Sequence, residues 1–330
     1  MGIDVAGARA AIMLAQRIGA AIDHMHSEAV LRDLAVRREA GMMVTIASEA
    51  RQRADVLLLI GADPVAVWPQ LRERLAGLPT ADGKTRRIFW LCPGSGAARQ
   101  IETAQAIGRR PEHLPVLLAA LRARVAGRPV GKTPHPPRVL DGLAADLCRA
   151  RFGVAVWSAA QLDALTIEML CGLVNDLNRE TRFSGLALPA ADDALGVLEA
   201  CGWMTGFPMR TGFARGYPEH DPWRFDARRL VESGEADCII WISAYGAATP
   251  QWKRQVPTIA LTAPGASFRR APRVHIEVGR PGSDHDAVEH CPFTGTLVAV
   301  PATAPSDAIS AEDAIAHIAA ALPAAGVRRC

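Results

Sequence analysis

Four groups of side chains in this sequence have the types and spacing that chemistry needs. The first is the thiols. Seven cysteines are present, Cys92, Cys148, Cys171, Cys201, Cys238, Cys291 and Cys330, and no two are spaced C-x-x-C. Iron–sulfur clusters need gathered thiolates and structural zinc sites need paired ones. Most of these cysteines stand in apolar runs, such as ADCIIWIS at 236–243, and read as buried, reduced thiols of a cytosolic chain. The second group is His24-Met25-His26. An H-x-H pair on a strand can share a metal, as in amidohydrolase barrels, but those enzymes need further His and Asp at later strand ends. Here His113, His135, His220, His275, His285, His290 and His317 fall mostly in loops or polar runs, so no metal site is expected. The third group is two turns that close apolar runs, Gly61-Ala62-Asp63-Pro64 and Pro93-Gly94-Ser95-Gly96. Ligands of open α/β sheets bind at such strand ends, and a helix start offers N–H groups to an anion. The Gly-x-Gly is too short for a dinucleotide fingerprint and lacks the Lys-Ser/Thr of a phosphate loop. Cys92, beside it, has no sequence-near His to activate it as a nucleophile.

The fourth group is the arginines. Lys and Arg total 37 against 34 Asp and Glu, a net charge of +3, and the only lysines are Lys84, Lys132 and Lys253. Guanidinium groups grip carboxylate and phosphate with two prongs. No basic stripe with interleaved aromatics marks a nucleic-acid face, so no nucleic-acid partner is expected, and the Arg excess also suits a GC-rich coding sequence. Arg210 and Arg215 lie in the longest loop, with Arg269, Arg270 and Arg273 further on; these five are the candidate contacts for a polyanion.

The elements that must position these groups alternate. Asp4 is a plausible N-cap for a helix carrying Ala8, Ala11, Ile12, Ala15 and Ile18. Val56, Leu57, Leu58, Leu59 and Ile60 form a short continuous apolar run, the mark of a strand buried on both faces. A helix is predicted over 68–78, a strand over 86–94, a helical stretch after Gly96 and a helix over 111–125. The segment 127–138, GRPVGKTPHPPR, is rich in Pro and Gly and is the best linker. Beyond it the pattern predicts a helix over 139–151, a strand over 153–158, helices over 165–179 and 192–201, a long loop over 202–223, and strands over 236–243, 257–263, 274–278 and 297–300. Ser310-x-x-Asp313 resembles a capping box opening a last helix to Leu322. Strands alternating with helices predict an α/β fold with mainly parallel sheets. The division expected is residues 1–130, a linker over 131–138, and residues 139–330. No stretch is apolar for the ~20 residues of a membrane span, and no export signal is read at the N-terminus, so the cytoplasm is the expected location.

Five segments in order, GIDVAGARAAIMLAQRIGAAIDHMHS (2–27), RADVLLLIGADP (53–64), NDLNRETRFSGLAL (175–188), WMTGFPMRTGFARGYPEHDP (203–222) and EADCIIWISAYGAATP (235–250), resemble the formylmethanofuran dehydrogenase B subunit, of the molybdopterin oxidoreductase superfamily. The resemblance implies two Rossmann-like, doubly wound domains like the pterin-binding domains of that superfamily. Its members hold tungsten or molybdenum on two pterin guanine dinucleotides, with a 4Fe–4S cluster. The cluster and metal-ligand cysteines of the family lie N-terminal to the motif on which this sequence opens, and Asp63 stands where Asn is common. A carboxylate there would repel a dinucleotide phosphate. The resemblance therefore implies a chain without redox chemistry, with no catalytic or metal residues and a vestigial cleft at Gly61, Asp63, Pro64, Gly94 and Gly96. A shortened relative of this kind is the B subunit of the formyltransferase/hydrolase complex of methylotrophic bacteria. That complex passes a formyl group from formyl-tetrahydromethanopterin to methylofuran and releases formate, a step of formaldehyde oxidation. The implied partners are an amidohydrolase-type A subunit, a formyltransferase D subunit, plus a C subunit. Two alternatives stand beside the structural role. One is a retained pterin-dependent dehydrogenase subunit, and the other is a binding subunit for the polyglutamate tail of methylofuran.

Overall fold

The computed structural model describes residues 1–81, 83–133, 135–188 and 190–323, without the side chains of Ala98 and Arg99; Cys330 lies outside the described residues. Strands are numbered along the chain: β1 Ala21–Ile22, β2 Val56–Ile60, β3 Arg87–Leu91, β4 Ala104–Ile107, β5 Gly153–Trp157, β6 Phe183–Ala187, β7 Thr211–Gly212, β8 Glu219–His220, β9 Ile239–Ser243, β10 Thr258–Thr262, β11 Val274–Glu277, β12 Ala287–Cys291 and β13 Thr296–Val300. The helices are α1 Val5–Ile18, α2 Ser27–Ala40, α3 Ala47–Arg53, α4 Pro64–Val67, α5 Leu114–Val125, α6 Pro137–Cys148, α7 Ala164–Leu177, α8 Ala194–Thr205, α9 Ala227–Ser233 and α10 Ala311–Ala321. They fall into two compact units, one made of Arg32–Ala190 with Pro292–Gly295, the other of Met1–Leu31, Ala191–Cys291 and Thr296–Cys330.

The first unit is built on a parallel five-stranded sheet in the order β4-β3-β2-β5-β6. All five residues of β2 are buried, as the unbroken VLLLI run requires. Their side chains alternate between the two faces. Val56, Leu58 and Ile60 join the leucines of α5, α6 and α7, while Leu57 and Leu59 pack with Ala47, Ala50, Leu71, Leu75 and Trp90. The chain runs outward from β2 to β4, then returns to β5 and continues to β6, so the sheet is doubly wound. Its reversal point lies between β2 and β5.

That pairing corrects the predicted domain division. The Pro-rich segment 131–138 does not separate two units, because β2 before it and β5 after it pair directly, Val56 opposite Gly153 through Ile60 opposite Trp157. Pro and Gly here serve a turn between helices: Pro136 is the N-cap of α6 and Pro137 its first residue, a position that needs no N–H. Pro134 lies outside the described residues.

In the second unit Asp4 caps α1 through the Gly7 N–H (3.1 Å), and the helix stops at Gly19 in the left-handed region. β9, β10 and β11 form a parallel sheet in the order β11-β10-β9, and Gly2 bridges Ser243 in parallel beside β9. β12 and β13 are an antiparallel pair. Ser310 caps α10 by accepting from the Asp313 N–H (3.0 Å), as its spacing predicts. The predicted loop 202–223 is more ordered than expected. α8 runs on to Thr205, and β7 pairs with both β1 and β8. Two-residue strands carry no periodicity, so the sequence does not reveal them. The helical stretch predicted after Gly96 is a 3-10 turn at Ala97–Gln100 followed by β4.

Candidate functional site

In an open α/β sheet the ligand crevice lies beyond the carboxyl ends of the strands where the order reverses. In this chain that place is the mouth between β2 and β5, flanked by Gly61 and Asp63 on one side and by residues 158–162 on the other. Gln161 spans it. Its Oε1 accepts from the Asp63 N–H (3.1 Å) and its Nε2 donates to the Asp63 carbonyl (2.9 Å). Gly61 has φ +96°, and a Cβ there would stand 3.4 Å from Leu162 and 3.5 Å from Gln161 Oε1. The Gly61 carbonyl accepts from the Trp90 indole (2.8 Å). The Asp63 carboxylate is used twice, capping the short helix that Pro64 opens through the Ala66 N–H (3.0 Å) and accepting from Gln100 Nε2 (3.2 Å). The Gly61 carbonyl and the backbone and carboxylate groups of Asp63 are thus bound within the chain. Sequence reasoning missed Gln161, since a lone Gln after a strand carries no signal.

The second turn folds back on the first. Gly94 N–H donates to the Ala62 carbonyl (2.7 Å), and a Cβ at Gly94 would stand 3.3 Å from that oxygen. Gly96 has φ +82° and starts the 3-10 turn, with open space where a Cβ would be. Burial pushes the Cys92 thiol up to about 11, so it is protonated at neutral pH. Burial likewise drives Cys171 to about 11 and Cys201 to about 12. Thiols held this way are packing groups.

The H-x-H pair is held in the second unit. His24 is buried; its Nδ1 accepts from the His26 N–H (3.0 Å), which places its proton on Nε2, facing the Asp192 carbonyl (3.0 Å). Both nitrogens are therefore engaged by backbone, and burial lowers the imidazole to about 3. His26 Nε2 pairs with Asp192 Oδ2 (2.9 Å), and that hydrogen bond holds Asp192 below the usual carboxylate range. This pair is a structural brace for the segment before α8.

The five candidate polyanion contacts do not form one set. Arg210 is a correction: it is buried among Asp226 (2.5 Å), Glu28 (2.9 Å) and Asp23 (3.5 Å), and donates to the Pro222 carbonyl (2.6 Å). A guanidinium wrapped by three carboxylates has nothing to offer an anion. Arg215 is exposed but pairs with Glu219 within the β7–β8 hairpin (3.0 Å). Arg269, Arg270 and Arg273 stand together, exposed, on the segment leading into β11.

One polar cluster escaped the sequence reading. Asp193 has φ +49° before α8, and its Oδ1 accepts from the His290 N–H (3.0 Å). Burial, with Glu289 and Asp4 nearby, pushes it up to about 7. Tyr245 donates to Glu289 (2.9 Å), and His290 Nδ1 meets Glu199 (3.1 Å).

No family model matches the chain. The B subunit of the formyltransferase/hydrolase complex Fhc of Methylorubrum extorquens is 33% identical over 290 residues, covering 86% of this chain and 77% of that one. The chain belongs to that subunit family. The crystal structure of the Methylorubrum extorquens complex FhcABCD with methylofuran contains a chain that matches at a TM-score of 0.85 and 31% identity, over 96% of this chain and 88% of that one. A more distant relative is the B subunit of the tungsten-containing formylmethanofuran dehydrogenase 2 of Methanocaldococcus jannaschii, 27% identical over 256 residues. That match takes in 73% of this chain but 58% of the dehydrogenase polypeptide. The α/β fold with mainly parallel sheets and the membership of the family are as the sequence resemblance implied. Among the described residues no group of three His, Cys, Asp or Glu side chains is placed to hold a metal ion, and the crevice at the sheet's reversal is spanned by Gln161.

Proposed function

We propose that this member of the Fhc B-subunit family is a non-catalytic structural component of a formyltransferase/hydrolase complex. That complex converts formyl-tetrahydromethanopterin to formate by way of formyl-methylofuran, and the other subunits carry the transfer and hydrolysis sites. The chain holds no tungsten or molybdenum pterin and no iron–sulfur cluster, and methylofuran is used by the assembly. Its site is the cytoplasm; among the described residues no helix is long and apolar enough to cross a membrane. One observation carries the reading: Gln161 bridges both backbone groups of Asp63 across the mouth where a doubly wound sheet binds its cofactor. A side chain that already satisfies those groups leaves a dinucleotide nothing to offset its own desolvation there. Elemental analysis of the purified complex tests this. Tungsten, molybdenum and iron are expected far below one atom per copy of this chain. A stoichiometric amount of any of them, lost when the chain is removed, would restore the dehydrogenase reading.

A further inference from the structure

From Cys238 to Ile276 the sequence contains no Asp or Glu, yet it carries five cations: Lys253, Arg254, Arg269, Arg270 and Arg273. The fold gathers all five. Lys253 and Arg254 lie on the segment leading into β10, and the three others on the segment leading into β11. β10 and β11 are adjacent and parallel, so both segments reach the same, N-terminal edge of the sheet. The segments are tied together: the Arg273 N–H donates to the Thr258 carbonyl (2.8 Å), and Arg270 Nη1 reaches Gln255 Oε1 (3.4 Å). The Arg254 guanidinium lies against Gly234, on the segment leading into β9, where a Cβ would be 2.3 Å from Nη1. All five side chains belong to exposed residues, and none pairs with a carboxylate among the described residues. Of the acids at this edge, Glu235 is held by Arg229, leaving Asp237. Aromatic groups flank the cations: Trp252 packs edge-on to Trp241 (5.5 Å) and Phe268 edge-on to His275 (5.1 Å).

We infer that this edge is a docking surface for an acidic face of another protein subunit of the complex. The inference rests on the proposed membership of such a complex. Three features select a polypeptide. Small ligands of parallel sheets sit at the opposite, carboxyl ends of the strands. Four of the five cations are arginines, and Trp252 adjoins the Lys253–Arg254 pair in the chain; Arg and Trp are enriched at the energetic centres of protein interfaces, where Lys is depleted. A net charge of +3 and a patch confined to one sheet edge give no path along a nucleic-acid backbone. Guanidinium groups with no internal acid partner also cost little to dock, since no ion pair must first be broken.

The test uses the whole complex, reconstituted with wild-type chain, with Arg269→Glu/Arg270→Glu, with Lys253→Glu/Arg254→Glu, and with the neutral pair Arg269→Gln/Arg270→Gln. Association is measured by native mass spectrometry and sedimentation between low and high salt, and methylofuran is quantified in each preparation. Each Glu pair is expected to weaken association at least tenfold, the Gln pair less, and all three to flatten its salt dependence. Unchanged melting of the isolated chains shows that folding is intact. Association and salt slope equal to wild type for all variants would overturn the inference while leaving the structural role standing. Loss of methylofuran from an otherwise intact complex would overturn it too, assigning the edge to the carboxylates of the cofactor. A wild-type chain that never joins the complex would bring down the proposed function and this surface with it.

Discussion

Asp193 and His24 show how single residues of the second unit are tuned in opposite senses. Asp193 is a carboxyl raised to about 7 by burial beside Glu289 and Asp4. The folded chain holds its proton where the unfolded chain has released it, so the stability it supplies is full below about pH 4 and is lost as the pH rises to about 7. Asp193→Asn keeps the acceptor for the His290 N–H, and Asn tolerates the left-handed backbone. This variant is expected to be more stable than wild type by about 1 kcal/mol at pH 8, a gain that vanishes near pH 4, as read from urea melts across that range. His24 works the other way. Burial lowers it to about 3, so the folded chain refuses a proton that the unfolded chain takes up below the ordinary value of 6.5. Its contribution is lost as the pH falls from about 6.5 toward 3. The His24 ring should give a flat chemical shift in NMR from pH 8 to below 5, with the proton on Nε2; an inflection near 6.5 would contradict the buried, doubly bonded ring.

At the scale of elements, the strand most legible in the sequence is buried along its whole length. VLLLI needs no partner to be read as a two-faced strand, and it occupies the centre of the sheet. The turns after it were also legible, because Gly61 takes a positive φ and Asp63-Pro64 opens a helix. What closes the mouth was not, since Gln161 acts across 98 residues of sequence through an ordinary amide. β6 and β7 were hidden for different reasons. β6 reads FSGLA, where Gly185 is small because Trp157 and Met42 occupy the space a Cβ would take, which blunts the apolar signal. β7 is too short to have a period. The basic edge was legible in principle as an acid-free run, but only the strand register shows that its two halves meet. Replacing Gln161 by Ala should strand the N–H and C=O of Asp63 and cost about 1–2 kcal/mol, a fall of roughly 2–4 °C in Tm by calorimetry. No loss would mean that the bridge is dispensable and the crevice more open than its hydrogen bonds imply.

For the whole molecule, the Pro-rich segment misled because composition marks a turn without saying whether the chain leaves the sheet or returns to it. Here it returns. Family membership was legible from five ordered motifs, whereas the surfaces that make a subunit useful to its partners were not, because an exposed side chain leaves little periodic trace. The second unit has a further property. α1 and α10 belong to the same unit, and Arg17 donates to the carbonyls of Ala319 (2.6 Å), Leu322 (3.0 Å) and Pro323 (3.0 Å).

That clasp bears on how the chain is made. A ribosome releases residues 32–190 as one run, so that unit can collapse while synthesis continues. Its neighbour can set α8 and β12 against α1 earlier, but Arg17 waits for its carbonyl partners until α10 emerges, with Ala319 lying 302 residues beyond Arg17. Nascent chains stalled before residue 311 are expected to yield a protease-resistant core within 32–190 and an α1 segment cleaved faster than in chains that include α10. Chains extended through α10 should protect both together, which makes the clasp of Arg17 on the end of α10 a late step of the fold.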